Sequence, residues 1–181
     1  MGELILIKIT RFFLENPYNE VYLRELARKL RLSPFATKKY VDLLIKEGLI
    51  KEERKANLRY FSANVSNLFF KHLKISLSIN SLLKSSLISY LKENIPNVSS
   101  IVLFGSTARG EDSAKSDIDL TVIGGKKSLN LKEFESKIKK EINMHVFSWS
   151  QWNKKAEEDK AFYYEVINQG MPLYGELPII K

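Results

Sequence analysis

The residues best suited to chemistry are a small-residue turn and two carboxylates. Gly105-Ser106 is followed by ten residues and then by Asp117-Ile118-Asp119, within LFGSTARGEDSAKSDIDLTVIG. Side chains alternate along a strand, so Asp117 and Asp119 are expected on one face with Cα atoms about 6.5 Å apart. Paired carboxylates suit hard divalent cations such as Mg²⁺, which take oxygen ligands. Gly105 allows a tight turn and close approach of the backbone to a ligand. Ser106 offers a hydroxyl and an N–H where phosphates are readily held. A phosphate cradle facing a paired-carboxylate metal site is the equipment of nucleotidyl transfer.

These residues need two strands to position them. Ile101-Val102-Leu103-Phe104 is an apolar strand ending at the turn, and Ile118 to Ile123 is a second. A polar connection with Arg109, Gly110, Lys115 and Ser116 joins them. Strand, Gly-Ser, polar connection and Ser-Asp-Ile-Asp-Leu together resemble the nucleotidyltransferase superfamily that includes DNA polymerase beta, especially its minimal branch. The resemblance is strongest over residues 98–125 and extends to about 175. It implies NTP as substrate or ligand, with Asp117 and Asp119 holding two Mg²⁺. Gly105, Ser106, Arg109, Lys115 and Ser116 would contact the nucleotide, Arg109 or Lys115 neutralising developing charge.

The following segments complete an α/β domain. A helix is expected over Leu131 to Lys140 and a third strand over Ile142 to Phe147. A last helix runs from Ser150 toward Gly170 and Pro172. The expected architecture is a mixed sheet of at least three strands flanked by helices. Related active enzymes carry a third carboxylate on the strand placed here at 142–147. The aligned residue is His145, or Asn143 if the register slips by two, and neither is an acid. His145 is the candidate base for an acceptor hydroxyl, because imidazole titrates near neutrality.

Composition and charge bound the rest. The 181 residues suffice for one medium domain or two small ones. With no cysteine, disulfides and thiolate metal or redox sites are excluded, and a reducing cytoplasmic setting is expected. No apolar run reaches membrane-span length. The opening MGELILIKITRFFLENP carries Glu3 and Lys8 and reads as an amphipathic helix rather than a signal peptide. Net charge is 29 − 21 = +8. Residues 1–65 hold 13 basic and 8 acidic side chains, and residues 98–181 hold 12 of each. The basic excess therefore lies outside the expected catalytic domain, which suggests a nucleic-acid partner for the front of the chain.

That front reads as helix, helix, short turn, helix and hairpin. A helix over residues 3–14 stops at Asn16-Pro17. Leu23, Leu26, Ala27 and Leu30 then mark one buried helix face. Ser33 is an N-cap and Pro34 a first helical residue. Two strands follow between Leu49 and Ala63, joined near Lys55-Ala56-Asn57. The order resembles the winged helix-turn-helix domains of prokaryotic regulators. It implies DNA contact through Thr37, Lys38, Lys39 and Tyr40 on the third helix and through Arg54, Lys55 and Arg59 on the hairpin. Residues 66–95 form a helical connector, one long helix or two short ones, with His72 on its apolar stripe. The connector is also the expected surface of a homodimer, since winged helices commonly read two half-sites.

The expected domains are therefore 1–65, winged helix; 66–95, connector; and 96–181, nucleotidyltransferase-like. With the third acid missing, the first functional reading is a DNA-binding transcriptional regulator whose C-terminal domain binds NTP and Mg²⁺ with weak or no catalysis. The alternative is an active nucleotidyltransferase, toxin–antitoxin-like, moving an NMP group to a nucleic-acid, protein or small-molecule hydroxyl.

Overall fold

The computed structural model describes residues 2–180. The chain divides after Lys74 into two compact units.

In the first unit, α1 (Gly2–Glu15) ends at Asn16, whose side-chain amide and backbone N–H both donate to the Phe12 carbonyl. Pro17 cannot prolong the helix. A two-residue strand, β1 (Val21–Tyr22), precedes α2 (Leu23–Leu30), and such a short strand carries no periodic signal. Ser33 caps α3 (Pro34–Lys46), its hydroxyl accepting from the Ala36 N–H at 3.2 Å. The hairpin is β2 (Ile50–Lys55) and β3 (Leu58–Ala63), turning at Ala56 and Asn57. The strands form an antiparallel sheet in the order β1-β3-β2. Phe13, Leu26, Val41, Leu44 and Phe61 are buried.

The connector is two helices, α4 (Leu68–Ser85) and α5 (Leu87–Asn94), separated by Ser86 in the left-handed region at φ 63. His72, expected on the apolar stripe, is exposed.

The second unit contains the mixed sheet expected from the sequence, with four strands. Its elements are β4 (Ser100–Phe104), the short α6 (Gly105–Ala108), β5 (Ile118–Ile123), α7 (Lys132–Ile138), β6 (Ile142–Phe147), α8 (Trp149–Glu158), α9 (Lys160–Gln169) and β7 (Met171–Gly175). The order is β6-β5-β4-β7, with β5 and β6 parallel across α7 and the other pairs antiparallel. Two expectations needed correction. The last helix is two helices: Ser148 opens α8 with a capping box to Gln151, and the Asp159 carboxylate caps α9. β7 was not foreseen because Pro172 argues against a strand; it is tolerated here because β7 is an edge strand.

Alternation gives the sheet two faces. Ile101, Leu103, Ile118, Leu120 and Val122 pack against Leu82, Leu87, Leu91 and Phe134 from the helices. Val102, Phe104 and Ile123 face the other way, against Trp152 and Val166. The second face turns polar where β5 begins, at Asp119.

Candidate active site

β4 hands the chain directly to α6 through Gly105. Gly105 has φ +70, a conformation L side chains rarely adopt. A Cβ there would also collide with the Asp119 carboxylate, lying 3.1 Å from its Cγ. Phe104 pairs with Asp119 across the antiparallel ladder, which sets the carboxylate beside the turn. Gly105 is thus required twice, by its backbone and by the acid it faces. Asp117 stands just before β5 and is exposed, whereas Asp119 is half-buried. The Thr107 hydroxyl donates to the Asp117 carbonyl at 3.3 Å, linking α6 to the start of β5.

Register decides which β6 residue faces the acids. Asp119 pairs with Asn143, and Thr121 with His145. The Asn143 amide donates to Asp119 Oδ1 at 3.1 Å. Asn143, not His145, therefore occupies the position opposite the acid. The His145 ring lies one step further along, with its centroid 5.3 Å from Phe162, 6.1 Å from Phe104 and 6.3 Å from Phe147. Burial pushes the Asp119 carboxyl above the ordinary aspartate range. The Asn143 hydrogen bond opposes that rise; Asp117 and Glu165 add to it by like charge, and His145 counters weakly.

The remaining candidates sit in different surroundings. Ser106 is partly buried on α6, its carbonyl accepting from the Glu111 N–H. The Ser116 hydroxyl accepts from the Ser113 N–H at 2.9 Å and shapes the loop before Asp117. Lys115 is exposed and, with Ser116, Asp117, Lys139, Lys140 and Glu141, lines a cavity of about 510 Å³. The loop is tied down from below by the ion pair of Lys140 with buried Asp112. Arg109 donates to Glu111, Glu165 and Gln169. Glu165 and Gln169 were missed by sequence reasoning. They lie 56 and 60 residues from Arg109 on another element, and no local pattern announces such a pairing.

Among the described residues, no cluster of three or more His, Cys, Asp or Glu side chains is set to hold a metal ion. The two-carboxylate donor set nonetheless fits Mg²⁺, which commonly binds through one or two carboxylates plus substrate phosphates and water. Like charge beside the half-buried Asp119 is the strain that a cation would relieve.

In the first unit the expected DNA-contacting residues are partly committed elsewhere. Thr37 is fully buried, and its hydroxyl donates to the Ser33 carbonyl at 2.9 Å; it stabilises the start of α3 and does not present its side chain at the surface. Arg59 is held by Glu52 and Asp42, tying the hairpin to α3. Lys55 pairs with Glu20 and Glu53, and Lys38 lies 3.5 Å from Asp42. Lys39 rests 5.6 Å from the ring of the partly buried Tyr40. Arg54 has its side chain 81% exposed and 3.8 Å from Glu52.

A mixed sheet that sets a glycine turn against a strand with one acid on it and another just before it is the framework of a nucleotide-handling domain. Residues 85–177 match the family described as "Polymerase beta, Nucleotidyltransferase", and the chain belongs to that family. No curated protein matches the chain. Among solved structures, a mutant of the toxin–antitoxin pair MntA-HpeT is 24% identical over 51% of this chain and 72% of that one, with a TM-score of 0.38. A toxin-antitoxin structure with AMP-PNP is 23% identical over 54% and 73%, with a TM-score of 0.36. Family membership rests on the domain match rather than on these likenesses. Among the described residues, no helix is long and apolar enough to cross a membrane.

Proposed function

We propose that this chain transfers a nucleoside monophosphate from an NTP to an acceptor hydroxyl. The observation that carries the reading is the seating of Asp119 against Gly105, with Asp117 two residues before it. Membership of the nucleotidyltransferase family supports it over the regulator first expected from the sequence. Asp117 and Asp119 would hold Mg²⁺, which when bound neutralises triphosphate charge and lowers the pKa of an acceptor hydroxyl. Gly105 and Ser106 would cradle the phosphates, with Lys115 and Ser116 on the loop beside them. Arg109 would offset charge building on the leaving group. The acceptor oxygen loses its proton to solvent and bonds to the α-phosphorus. The bond from that phosphorus to the bridging oxygen breaks, and pyrophosphate departs. Asn143 keeps Asp119 aimed through one carboxylate oxygen. His145, partly buried beside three phenylalanines, would support the wall of the site rather than act as the base. The test is incubation with α-labelled NTPs and Mg²⁺ against pooled tRNA, protein and small-molecule acceptors. Transfer that disappears in Asp119→Ala is expected; no transfer with any NTP refutes the reading.

The first unit supports a second, compatible proposal. The order of α2, α3 and the β2–β3 hairpin is that of a winged helix, and Lys38, Lys39 and Arg54 stay exposed along it. This unit would bring the transferase to DNA, with domain limits near 1–65 and 96–181 around the connector. A gel shift that weakens steeply with salt is expected, and binding indifferent to salt refutes phosphate contact. Self-association through α4 belongs to the same proposal, motivated by exposed Leu68, Phe69 and Leu83. A single-chain mass by light scattering at high concentration refutes it.

A further inference from the structure

Arg109 is the cation of the site whose side chain is most completely fixed. Its Nε donates to Glu111 Oε2, and its Nη1 donates to Glu165 Oε1 and Gln169 Oε1, each at 3.0 Å. Glu165 and Gln169 are four residues apart on α9, so one face of that helix supplies both acceptors. Among the described residues, Nη2 makes no hydrogen bond. Nε and Nη1 are engaged, and Nη2 keeps its two N–H donors for a ligand.

Stability gives little reason for this arrangement. The Arg109 and Glu165 side chains are 34% and 38% exposed, and ion pairs open to solvent contribute little. Glu165 also adds negative charge near Asp119, which is unfavourable until cations arrive. What the contacts do achieve is orientation. A guanidinium held before the substrate binds need not be ordered during the reaction, and that preorganisation is what strengthens electrostatic catalysis.

We propose that Glu165 and Gln169 of α9 are positioning residues that hold the Arg109 guanidinium so that its Nη2 N–H donors meet the polyphosphate of an NTP. The inference rests on the nucleotide-transfer reading and extends its site to the C-terminal helix. The ligand class is a polyphosphate anion; α9 supplies aim rather than contact.

The test is calorimetric binding of inorganic tripolyphosphate to the full chain with Mg²⁺, using Glu165→Ala, Glu165→Gln, Arg109→Lys and the Glu165→Ala/Arg109→Lys pair. Glu165→Ala is expected to weaken binding about tenfold, and the pair to bind no worse than Arg109→Lys alone, the mark of two coupled positions. Glu165→Gln keeps an acceptor oxygen and is expected within about threefold of the natural chain. Melting temperatures should stay close throughout, which a merely structural role would not give. Equal affinity in Glu165→Ala, strictly additive losses, or no tripolyphosphate binding by the natural chain overturns the inference. Coupled binding losses in a chain that transfers no label would sink the transfer reading and leave the positioning of Arg109 standing.

Discussion

The two faces of the four-stranded sheet are made by the same strands and the same alternation, but they end differently. One face is apolar along the lengths of β4 and β5 and is closed by α4, α5 and α7. The other is apolar through Val102, Phe104 and Ile123, then meets Asp119 and Asn143. The first face can only hold the sheet in place. The second gives up sealing at one end and gains a half-buried acid beside a glycine turn. The lesson is that the site is a local break in a pattern kept intact elsewhere. Stability and activity should therefore separate when each face is altered.

The largest separation is expected from Asp119→Asn. Label transfer should fall by about 10³-fold or more, comparable to removing a main electrostatic contributor, while the fold survives. The stability sign follows from the raised pKa of Asp119. The folded state binds that proton more tightly than the unfolded chain, so the stabilisation is full below about pH 3.9 and fades as pH rises through the folded value. At neutral pH the ionised, half-buried carboxylate is a cost, and the amide variant should melt no lower than the natural chain. A large drop in melting temperature would contradict this.

Next comes Leu120→Ala on the sealed face, where Leu120 is fully buried. Denaturant unfolding should show a loss of about 3 kcal/mol, with transfer per folded molecule little changed. Gly105→Ala should affect both properties, since the positive φ and the carboxylate both oppose a Cβ. A stability loss of about 1–2 kcal/mol is expected, with transfer reduced further than that loss explains. The smallest effect tests Asn143. Asn143→Asp replaces a donor to Asp119 with a third negative charge. It should lower the melting temperature without Mg²⁺ and tighten Mn²⁺ binding, followed by electron paramagnetic resonance, by about tenfold or less. Unchanged Mn²⁺ affinity would show that this position lies outside the metal site.

How far the sequence could be read depended on the range of each interaction. Ser33 as a cap, a hairpin turn near Ala56-Asn57 and the β4–turn–β5 order were legible because short stretches decide them. The break at Asp159 was not, because an amphipathic pattern runs on across it and only the cap geometry divides α8 from α9. Thr37 reads as an exposed polar residue on α3, and its burial becomes visible only once α3 is packed. The choice between Asn143 and His145 could not be made from one strand, since register belongs to the β5–β6 pair.

The sequence alone determined that Asp117 and Asp119 lie two residues apart, that a glycine ends the preceding strand, and that no cysteine chemistry is available. These follow from covalent spacing and residue type, which no packing can alter. Tertiary structure alone decided that Asp119 rests on Gly105, that Asn143 faces it, and that α9 brings Glu165 and Gln169 to Arg109. Those relations depend on strand register and helix docking, which arise from burying side chains distant in sequence and so leave no mark on the residues nearby.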